Sequence, residues 1–222
     1  MPSEFLRVTE VFHSIQGEST WAGLPCTFVR LTGCPLRCVW CDTEYAFHGG
    51  EKRTIDEILA EVAGIGTRLV EITGGEPLVH KGAFTLARRL LDEGYTVLVE
   101  TSGALDIAAL DDRCHVIMDL KCPGSGEESK NRWSNLDHLD GGDELKFVIT
   151  DRADYEWARA VVRDRGLDQR LENGTLRAIL FSPVWGQQDR LALAEWILED
   201  RLPVRYQLQL HKLVWGPDVA GV

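Results

Sequence analysis

The sequence predicts an α/β protein built as an open, partial (βα)6-type barrel. Strand-like and helix-like segments alternate along the chain, and polar motifs stand directly after several of the strand-like segments. About six strand–helix units fit this pattern, which is too few for a closed barrel of eight units. We therefore expect a single domain over residues 1–222, with its chemistry at the carboxyl ends of parallel strands.

Seven segments carry the alternating or β-branched patterns that are typical of strands. They are Leu6–Phe12, Thr27–Leu31, Leu69–Ile72, Thr96–Val99, His115–Asp119, Leu145–Ile149 and Leu176–Phe181. Four segments have the apolar spacing that is typical of helices. They are Ile55–Val62, Ala83–Leu91, Tyr155–Arg165 and Arg190–Leu198. Thr54 and Asp151 stand where N-terminal helix caps are expected.

Polar or glycine-rich motifs follow four of these predicted strands. They are Gly74-Gly75-Glu76-Pro77, Thr101-Ser102-Gly103, Lys121 and Ser182-Pro183. Because the carboxyl ends of parallel strands meet at one edge of a sheet, we expect these motifs to lie together. The segment Cys122–Asn131 predicts a long loop of low order, which serves either as a surface connection or as a lid over the site.

The composition indicates a globular protein that acts on a small molecule. Apolar residues make up 44% of the sequence and charged residues 27%. The formal net charge of -11 argues against a nucleic-acid partner, because phosphate binding needs concentrated Lys and Arg. The amino terminus has no secretory signal pattern, and no stretch approaches the roughly 18 apolar residues of a membrane span. We therefore expect a cytoplasmic protein with no membrane partner and with reduced cysteines.

Three of the six cysteines stand within eight residues, in the pattern C-x₃-C-x₂-C: Cys34, Cys38 and Cys41. Their soft thiolates favour a soft metal site, but structural zinc and an ordinary 4Fe-4S cluster each take four protein ligands. His48 would complete a Cys₃His zinc site, and three other residues would do so only through the fold: Cys26, Cys114 and Cys122. A cluster on three cysteines instead leaves one iron open to a substrate or cofactor.

The cysteine loop follows a predicted strand and has an aromatic residue, Trp40, directly before its last cysteine. This arrangement resembles the radical S-adenosylmethionine superfamily. The resemblance implies a 4Fe-4S cluster on the three cysteines, S-adenosyl-L-methionine on its open iron, release of a radical, and Trp40 against the adenine. It also implies that Gly75 and Glu76 of the Gly74–Pro77 motif receive the methionine ammonium. A packed tryptophan and an ordinary turn are the structural alternatives.

Five further motifs narrow the resemblance to the 7-carboxy-7-deazaguanine synthase family. They are Ser14-Ile15-Gln16-Gly17-Glu18, Arg30, Cys41-Asp42-Thr43, Asp119-Leu120-Lys121-Cys122-Pro123 and Gln209-Leu210-His211-Lys212. The resemblance implies conversion of 6-carboxy-5,6,7,8-tetrahydropterin to 7-carboxy-7-deazaguanine and ammonia, on the route to queuosine and other 7-deazapurines. It further implies that S-adenosyl-L-methionine acts catalytically, so that the hydrogen taken from C6 of the pterin is later returned.

A carboxylated pterin offers an anionic group and a planar edge of hydrogen-bond donors and acceptors. Arg30 suits the carboxylate in forked geometry, and Gln16 with Glu18 suits the guanidine-like edge. The resemblance adds four more substrate contacts: Gly17, Thr73, Gly74 and His211. A surface ion pair for Arg30, a solvated turn for Gln16 and Glu18, and a packed terminal histidine are the structural alternatives.

The resemblance also implies a Mg²⁺ ion held by the hydroxyl of Thr43, beside Asp42. Magnesium prefers oxygen ligands, although an Asp-Thr pair is also a common helix cap. Further cofactor contacts carried over from the family are Thr101, Ser102, Lys121 and Ser182. Gly124 stands where the family pattern has a serine, so this position offers no hydroxyl.

Family resemblance implies a homodimer that takes its electron from a donor such as flavodoxin or ferredoxin. Two other classes of protein share part of the pattern. A glycyl-radical activating enzyme has a three-cysteine loop but acts on another protein, and the Ser14–Glu18 segment and His211 argue against it. A non-catalytic zinc or electron-transfer module would use the cysteines without S-adenosyl-L-methionine cleavage.

Overall fold

The computed structural model describes residues 5–222, which form nine strands and six α-helices. The strands are β1 (Phe5–Ile15), β2 (Pro25–Leu31), β3 (Glu51–Thr54), β4 (Leu69–Gly74), β5 (Thr96–Thr101), β6 (His115–Asp119), β7 (Glu144–Ile149), β8 (Ala178–Pro183) and β9 (Arg205–Tyr206). The helices are α1 (Ile55–Ile65), α2 (Lys81–Asp92), α3 (Arg152–Asp164), α4 (Leu167–Glu172), α5 (Arg190–Asp200) and α6 (Leu210–Trp215). None of the helices in this range is long and apolar enough to cross a membrane.

The strands form a single sheet in the order β3-β1-β2-β4-β5-β6-β7-β8-β9. From β2 to β9 every neighbouring pair is parallel, whereas β1 pairs antiparallel with both β2 and β3. Because β3 and β9 stand at opposite ends of this order, the sheet does not close on itself. The predicted open, partial barrel is confirmed.

The sheet has one apolar face and one mixed face, as the period of two along a strand requires. On the outer face, side chains such as Val70, Ile72 and Val99 pack with the helices into the main core. The inner face carries a separate apolar cluster: Cys26, Phe28, Leu69, Leu98 and Ile117, with Phe12 and Trp21 against it. Polar side chains follow on the same inner face toward the carboxyl ends of the strands.

Two helix starts match the caps predicted from the sequence. Thr54 accepts a hydrogen bond from the Glu57 backbone, and the Glu57 side chain bonds back to the Thr54 backbone, so the two form a capping box. Asp151 accepts from the backbone of Asp154 at the start of α3. Such caps are worth about 1 kcal/mol each, and here they fix where the helices leave the sheet.

The structure corrects the predicted alternation at two places. The predicted strand Leu6–Phe12 lies within β1 but outside the parallel set, because the chain turns back directly into β2. No α-helix lies between β5 and β6 or between β6 and β7, where only bends and 3₁₀ turns connect the strands.

The segment Cys122–Asn131 is more ordered than the sequence indicates. It contains 3₁₀ turns at Pro123–Ser125 and Glu128–Lys130. Asn131 closes the segment, because its side chain accepts from Lys121 N at 2.9 Å and donates to Lys121 O at 2.9 Å. The predicted long loop is confirmed, and hydrogen bonds within the segment satisfy several of its backbone groups. The lid over the site stays a prediction.

Candidate active site

The carboxyl ends of the parallel strands surround a cavity of about 690 Å³. Of the eighteen site residues predicted from the sequence, all but Glu76 and Ser182 line it. Those that do are Gln16, Gly17, Glu18, Arg30, Cys34, Cys38, Trp40, Cys41, Thr43, Thr73, Gly74, Gly75, Thr101, Ser102, Lys121 and His211. The fold thus gathers residues that are up to 195 positions apart (211 minus 16) around one space.

The cysteine loop forms one wall of the cavity. Cys34, Cys38 and Cys41 are free and partly buried. The loop is tied to the segment after β6, because Val39 N donates to Ser125 O at 3.1 Å. Burial raises the pKa of all three thiols, so a metal that binds them has to displace their protons.

No set of three or more His, Cys, Asp or Glu side chains in residues 5–222 is arranged to hold a single metal ion, and this includes the predicted zinc set with His48. Three soft donors on one cavity wall suit a larger cluster that takes one thiolate at each of three irons.

The glycine motif after β4 packs against the base of this wall. A Cβ atom on Gly75 would lie 2.7 Å from Cys34 Cβ and 2.6 Å from Gly33 O, so only glycine allows this approach. Gly74 has a φ of 152° and would overlap Leu31 O if it carried a side chain. The donor set and this bare strip of backbone beside it fit a 4Fe-4S cluster with an amino acid bound to its open iron.

Glu76 lies behind the cavity wall, where it is fully buried. Its carboxylate accepts hydrogen bonds from Thr101 Oγ1 at 2.9 Å, from Ser102 N at 2.7 Å and from Leu78 N at 3.0 Å. It therefore holds in place two strand-end residues that line the cavity. The methionine contact predicted for Glu76 stays a prediction.

Ser182 is also turned away from the cavity, because its hydroxyl donates to Gln207 O at 2.9 Å. Lys121, in contrast, lines the cavity and pairs with Asp119 at 2.8 Å. Burial opposes the charge of Lys121, but Asp119 and Cys38 outweigh it and raise the pKa of the ammonium above its ordinary value. The other oxygen of Asp119 is buried and has no hydrogen-bond partner among the described residues.

Lys146, from β7, is the centre of a buried cluster of charges. Its ammonium lies 2.7 Å from Glu18 Oε2, 2.5 Å from Glu100 Oε1 and 3.8 Å from Asp119 Oδ2. Gln209 donates to the second oxygen of Glu18 at 2.9 Å. Burial opposes ionisation of Glu18, but the charge of Lys146 and that of a protonated His211 outweigh it and lower its pKa to about 2. Glu18 therefore faces the cavity as a carboxylate.

The loop that carries Glu18 joins β1 to β2 and crosses the inner face of the sheet. At its start, Gln16 donates through Nε2 to Glu71 and accepts from Glu18 N at 2.6 Å. Gly17 contacts the start of α6, where its carbonyl accepts from Leu210 N at 2.8 Å. A side chain on Gly17 would overlap the ring of His211, whose pKa burial lowers.

Arg30 stands on the inner face of β2, between the rings of Phe12 and Tyr45. Its Nε donates to Glu10 at 2.7 Å, and Tyr45 donates to the same carboxylate oxygen at 2.9 Å. This bond uses only Nε. The two terminal NH₂ groups of Arg30 are therefore available to bind a ligand carboxylate in the predicted forked geometry.

Thr43 lies at the end of the cysteine loop, and its hydroxyl donates to Asp42 Oδ1 at 2.9 Å. Lys212 approaches the other oxygen of Asp42 at 2.5 Å. Thr43 stands at the start of a 3₁₀ turn but makes no side-chain cap there. The helix-cap alternative for this pair is therefore wrong, and its oxygens lie at the rim of the cavity.

Four charged or acidic residues of the cavity wall were missed from the sequence as site residues: Glu71, Glu100, Asp119 and Lys146. All four stand at inner-face positions of strands whose outer-face positions are apolar. A single charged or acidic residue two positions from an apolar one, on the same face of an otherwise apolar strand, is the signal that could have found them.

Comparison with known proteins agrees with this arrangement. Residues 28–123 match the Radical SAM superfamily, which implies a 4Fe-4S cluster and S-adenosyl-L-methionine. The chain is 46% identical to the 7-carboxy-7-deazaguanine synthase of Koribacter versatilis, with 98% of this chain and 100% of that protein covered. The protein of the same name from Chlorobaculum tepidum is 46% identical, with 98% of this chain and 97% of that protein covered. The one from Thermoplasma acidophilum is 39% identical, with 97% of this chain and 99% of that protein covered.

The fold is similar to that of two solved structures. One is QueE from Escherichia coli, with a TM-score of 0.74 and 24% identity over 93% of this chain and 95% of that chain. The other is Streptococcus suis SuiB bound to precursor peptide SuiA, with a TM-score of 0.58 and 14% identity over 80% and 46% of the two chains. On its identity to relatives over nearly its whole length, the chain belongs to the 7-carboxy-7-deazaguanine synthase family of radical S-adenosylmethionine enzymes.

Proposed function

We propose that this enzyme converts 6-carboxy-5,6,7,8-tetrahydropterin to 7-carboxy-7-deazaguanine and ammonia, a step of queuosine and 7-deazapurine biosynthesis. The observation that carries the proposal is the shared cavity: Gln16, Glu18 and Arg30 line the same space as the three cysteines. Any small molecule bound by these side chains lies next to the cluster wall.

Two parts of the substrate find partners of matching chemistry. The terminal NH₂ groups of Arg30 suit the pterin carboxylate, and the rings of Phe12 and Tyr45, with centroids 5.4 Å and 5.7 Å from the guanidinium carbon, limit how far the guanidinium can move. Glu18 is held as a carboxylate by Lys146 and Gln209, and a carboxylate accepts N–H groups from a guanidine-like edge. His211, Gly17, Thr73 and Gly74 complete the proposed substrate wall.

The cofactor side of the cavity uses the other predicted residues. Cys34, Cys38 and Cys41 would hold the cluster. S-adenosyl-L-methionine would contact Trp40, Gly75, Thr101, Ser102 and Lys121. The contacts predicted for Glu76 and Ser182 require these two side chains to turn toward the cavity from their present hydrogen-bond partners. Once bound, cluster and cofactor supply a carbon-centred radical that removes a hydrogen atom from the substrate. The protein's own task is to hold the substrate carbon close to that radical and to exclude water.

A Mg²⁺ ion would sit at Thr43, on the rim shared by the cofactor and the substrate. The hydroxyl of Thr43 and the carboxylate of Asp42 are adjacent oxygens, which are the donors that Mg²⁺ prefers. At present Thr43 donates to Asp42, and Lys212 donates to the other oxygen of Asp42. The ion and its waters would take over part of these hydrogen bonds.

We further propose that the chain acts as a single domain over residues 1–222, as a homodimer in the cytoplasm, with flavodoxin or ferredoxin as electron donor.

An anaerobic assay tests the proposed reaction. Purified protein with a reconstituted cluster is mixed with a reductant, S-adenosyl-L-methionine, Mg²⁺ and the carboxylated tetrahydropterin. The expected result is the deazaguanine product with one ammonia per product and no net loss of S-adenosyl-L-methionine. An intact cluster without product would contradict the substrate assignment, and turnover without any protein substrate separates it from the activity of a glycyl-radical activating enzyme.

Two cysteine variants control for the cluster. Cys34→Ala is expected to lose the iron, about four per chain in the reconstituted protein, together with all turnover. Cys114→Ala removes a thiol that is buried outside the cavity and is expected to keep both. Full iron content and turnover in Cys34→Ala would contradict the assignment of this loop.

A further inference from the structure

The Gln16 side chain is held at both ends of its amide. Its oxygen accepts from the backbone N–H of Glu18 at 2.6 Å, and a backbone N–H can only donate. The NH₂ group therefore has to be at the other end, where it donates to Glu71. The backbone of Gln16 is fixed as well, because Gln16 N donates to Leu24 O at 2.8 Å and Gly23 N donates to Gln16 O at 2.7 Å.

Glu71 stands at a place in the sheet where an apolar residue is expected. It is 1% exposed, and its neighbours in register are Phe28 on β2 and Leu98 on β5, both members of the inner apolar cluster. A polar group buried among such neighbours costs free energy unless a hydrogen bond compensates it. The amide of Gln16 supplies that bond.

These surroundings also decide the charge of Glu71. Burial, followed by the negative charges of Glu100 and Glu18, raises its pKa well above the ordinary value, and the positive charges of Lys146 and Arg30 only partly offset this. This direction favours the uncharged acid, whose carbonyl oxygen still accepts a hydrogen bond from the Gln16 amide. For the bond from Gln16 it serves as an uncharged acceptor, which a glutamine side chain can replace.

The two fixed bonds leave one N–H and one oxygen lone pair of the Gln16 amide for a ligand in the cavity. We propose that Glu71 is a positioning residue: it holds the NH₂ end of the Gln16 amide, whose orientation the Glu18 N–H decides, and thereby fixes the place of the donor and acceptor that the enzyme presents to the planar edge of its substrate. With the amide reversed, a donor would meet a donor on the substrate, and such a mismatch rejects a ligand strongly. This inference rests on the proposed function, because it takes Gln16 to contact the pterin.

The test compares Glu71→Gln and Glu71→Met with wild-type protein. Glu71→Gln keeps an uncharged acceptor of the same shape, so KM is expected to stay within about threefold. Glu71→Met fills the same space without an acceptor, so KM is expected to rise about tenfold, the worth of one buried hydrogen bond, while kcat changes little. Asp143→Asn alters a buried carboxyl outside the cavity and is the control for a general effect on the fold.

Two further measurements separate positioning from other roles. Binding of the pterin is followed by tryptophan fluorescence without reductant, so the readout does not depend on turnover, and Glu71→Met is expected to weaken it by the same factor. In a Gln16→Ala background, Glu71→Met is expected to add less than a twofold further loss, because the residue it positions is gone. Thermal unfolding confirms that each variant is folded.

Two results would overturn the inference. A loss of kcat in Glu71→Gln as large as that in Glu71→Met would mean that Glu71 moves a proton. An unchanged KM and binding constant in folded Glu71→Met would mean that the amide of Gln16 needs no such partner. Failure of the proposed function would look different, since wild-type protein itself would then form no product.

Discussion

Replacing Lys146 by methionine is expected to damage both stability and substrate binding. The side chain of Lys146 is 5% exposed, and its ammonium lies within 4 Å of three carboxylates, those of Glu18, Glu100 and Asp119. Methionine fills the same space but leaves these carboxylates without their common counter-charge. Removing one partner of a buried ion pair costs about 3–5 kcal/mol, because the remaining charge is buried and uncompensated.

For a chain of this length, 1 kcal/mol corresponds to roughly 2–4 °C in Tm, so Lys146→Met is expected to unfold roughly 6–20 °C below wild type. Circular dichroism during heating, on protein with and without the cluster, gives this number. Lys81→Met, at an exposed lysine of α2, is the matched control and should unfold within about 2 °C of wild type.

The same variant should lose affinity for the substrate. Without Lys146 the pKa of Glu18 rises from about 2, so the carboxylate that accepts the substrate's N–H groups protonates at a higher pH. In the profile of kcat/KM against pH, the acidic limb is therefore expected to shift to higher pH. A Lys146→Met protein with wild-type Tm and an unmoved acidic limb would refute the reasoning, because it would show that the three carboxylates do not need this charge.

Three other predictions concern single side chains of the cavity. Gly17→Ala is expected to raise KM by more than tenfold at unchanged iron content, because the new Cβ overlaps His211; equal KM values in a kinetic assay would contradict this. Thr43→Ala is expected to raise the Mg²⁺ concentration needed for half-maximal turnover several-fold, and a titration with Mg²⁺ that matches wild type would exclude Thr43 as a ligand. Glu18 has a folded-state pKa of about 2, below its ordinary 4.5, so its charge stabilises the fold above pH 4.5, and this contribution is lost as the pH falls toward 2. In chemical unfolding, the free energy of unfolding of Glu18→Gln should therefore fall less between pH 4.5 and pH 2 than that of wild type.

The parallel core of the fold could be predicted from the sequence because its signals are local. The alternation within Leu69–Ile72 and the caps at Thr54 and Asp151 each depend on neighbours within four residues. The direction of β1 could not be predicted in this way. It depends on pairing with β2 across a short loop, and an alternating pattern is the same in a parallel and an antiparallel strand.

The same distinction between local signals and long-range contacts applies to the residues of the candidate site. The cysteine loop and the glycine motif could be found because each contains its chemistry within a few consecutive residues. Glu71, Glu100 and Lys146 could not be found as a group, because each is a single polar residue in a strand and they meet only through the sheet. Glu76 lies within a recognisable motif, but its position behind the wall depends on Thr101 and Ser102 from the next strand.

The loop between β1 and β2 connects the site to strands that are distant in the sequence. Thr20, in the middle of this loop, donates from its backbone to Glu144 at the start of β7, a contact between residues 124 positions apart in the chain. Trp21 beside it packs on the inner apolar cluster, which draws on β2, β4, β5 and β6. The positions of Gln16 and Glu18 therefore depend on β7, and a chain in which β7 is not paired in the sheet lacks the Thr20–Glu144 and Glu18–Lys146 contacts that hold this part of the substrate wall.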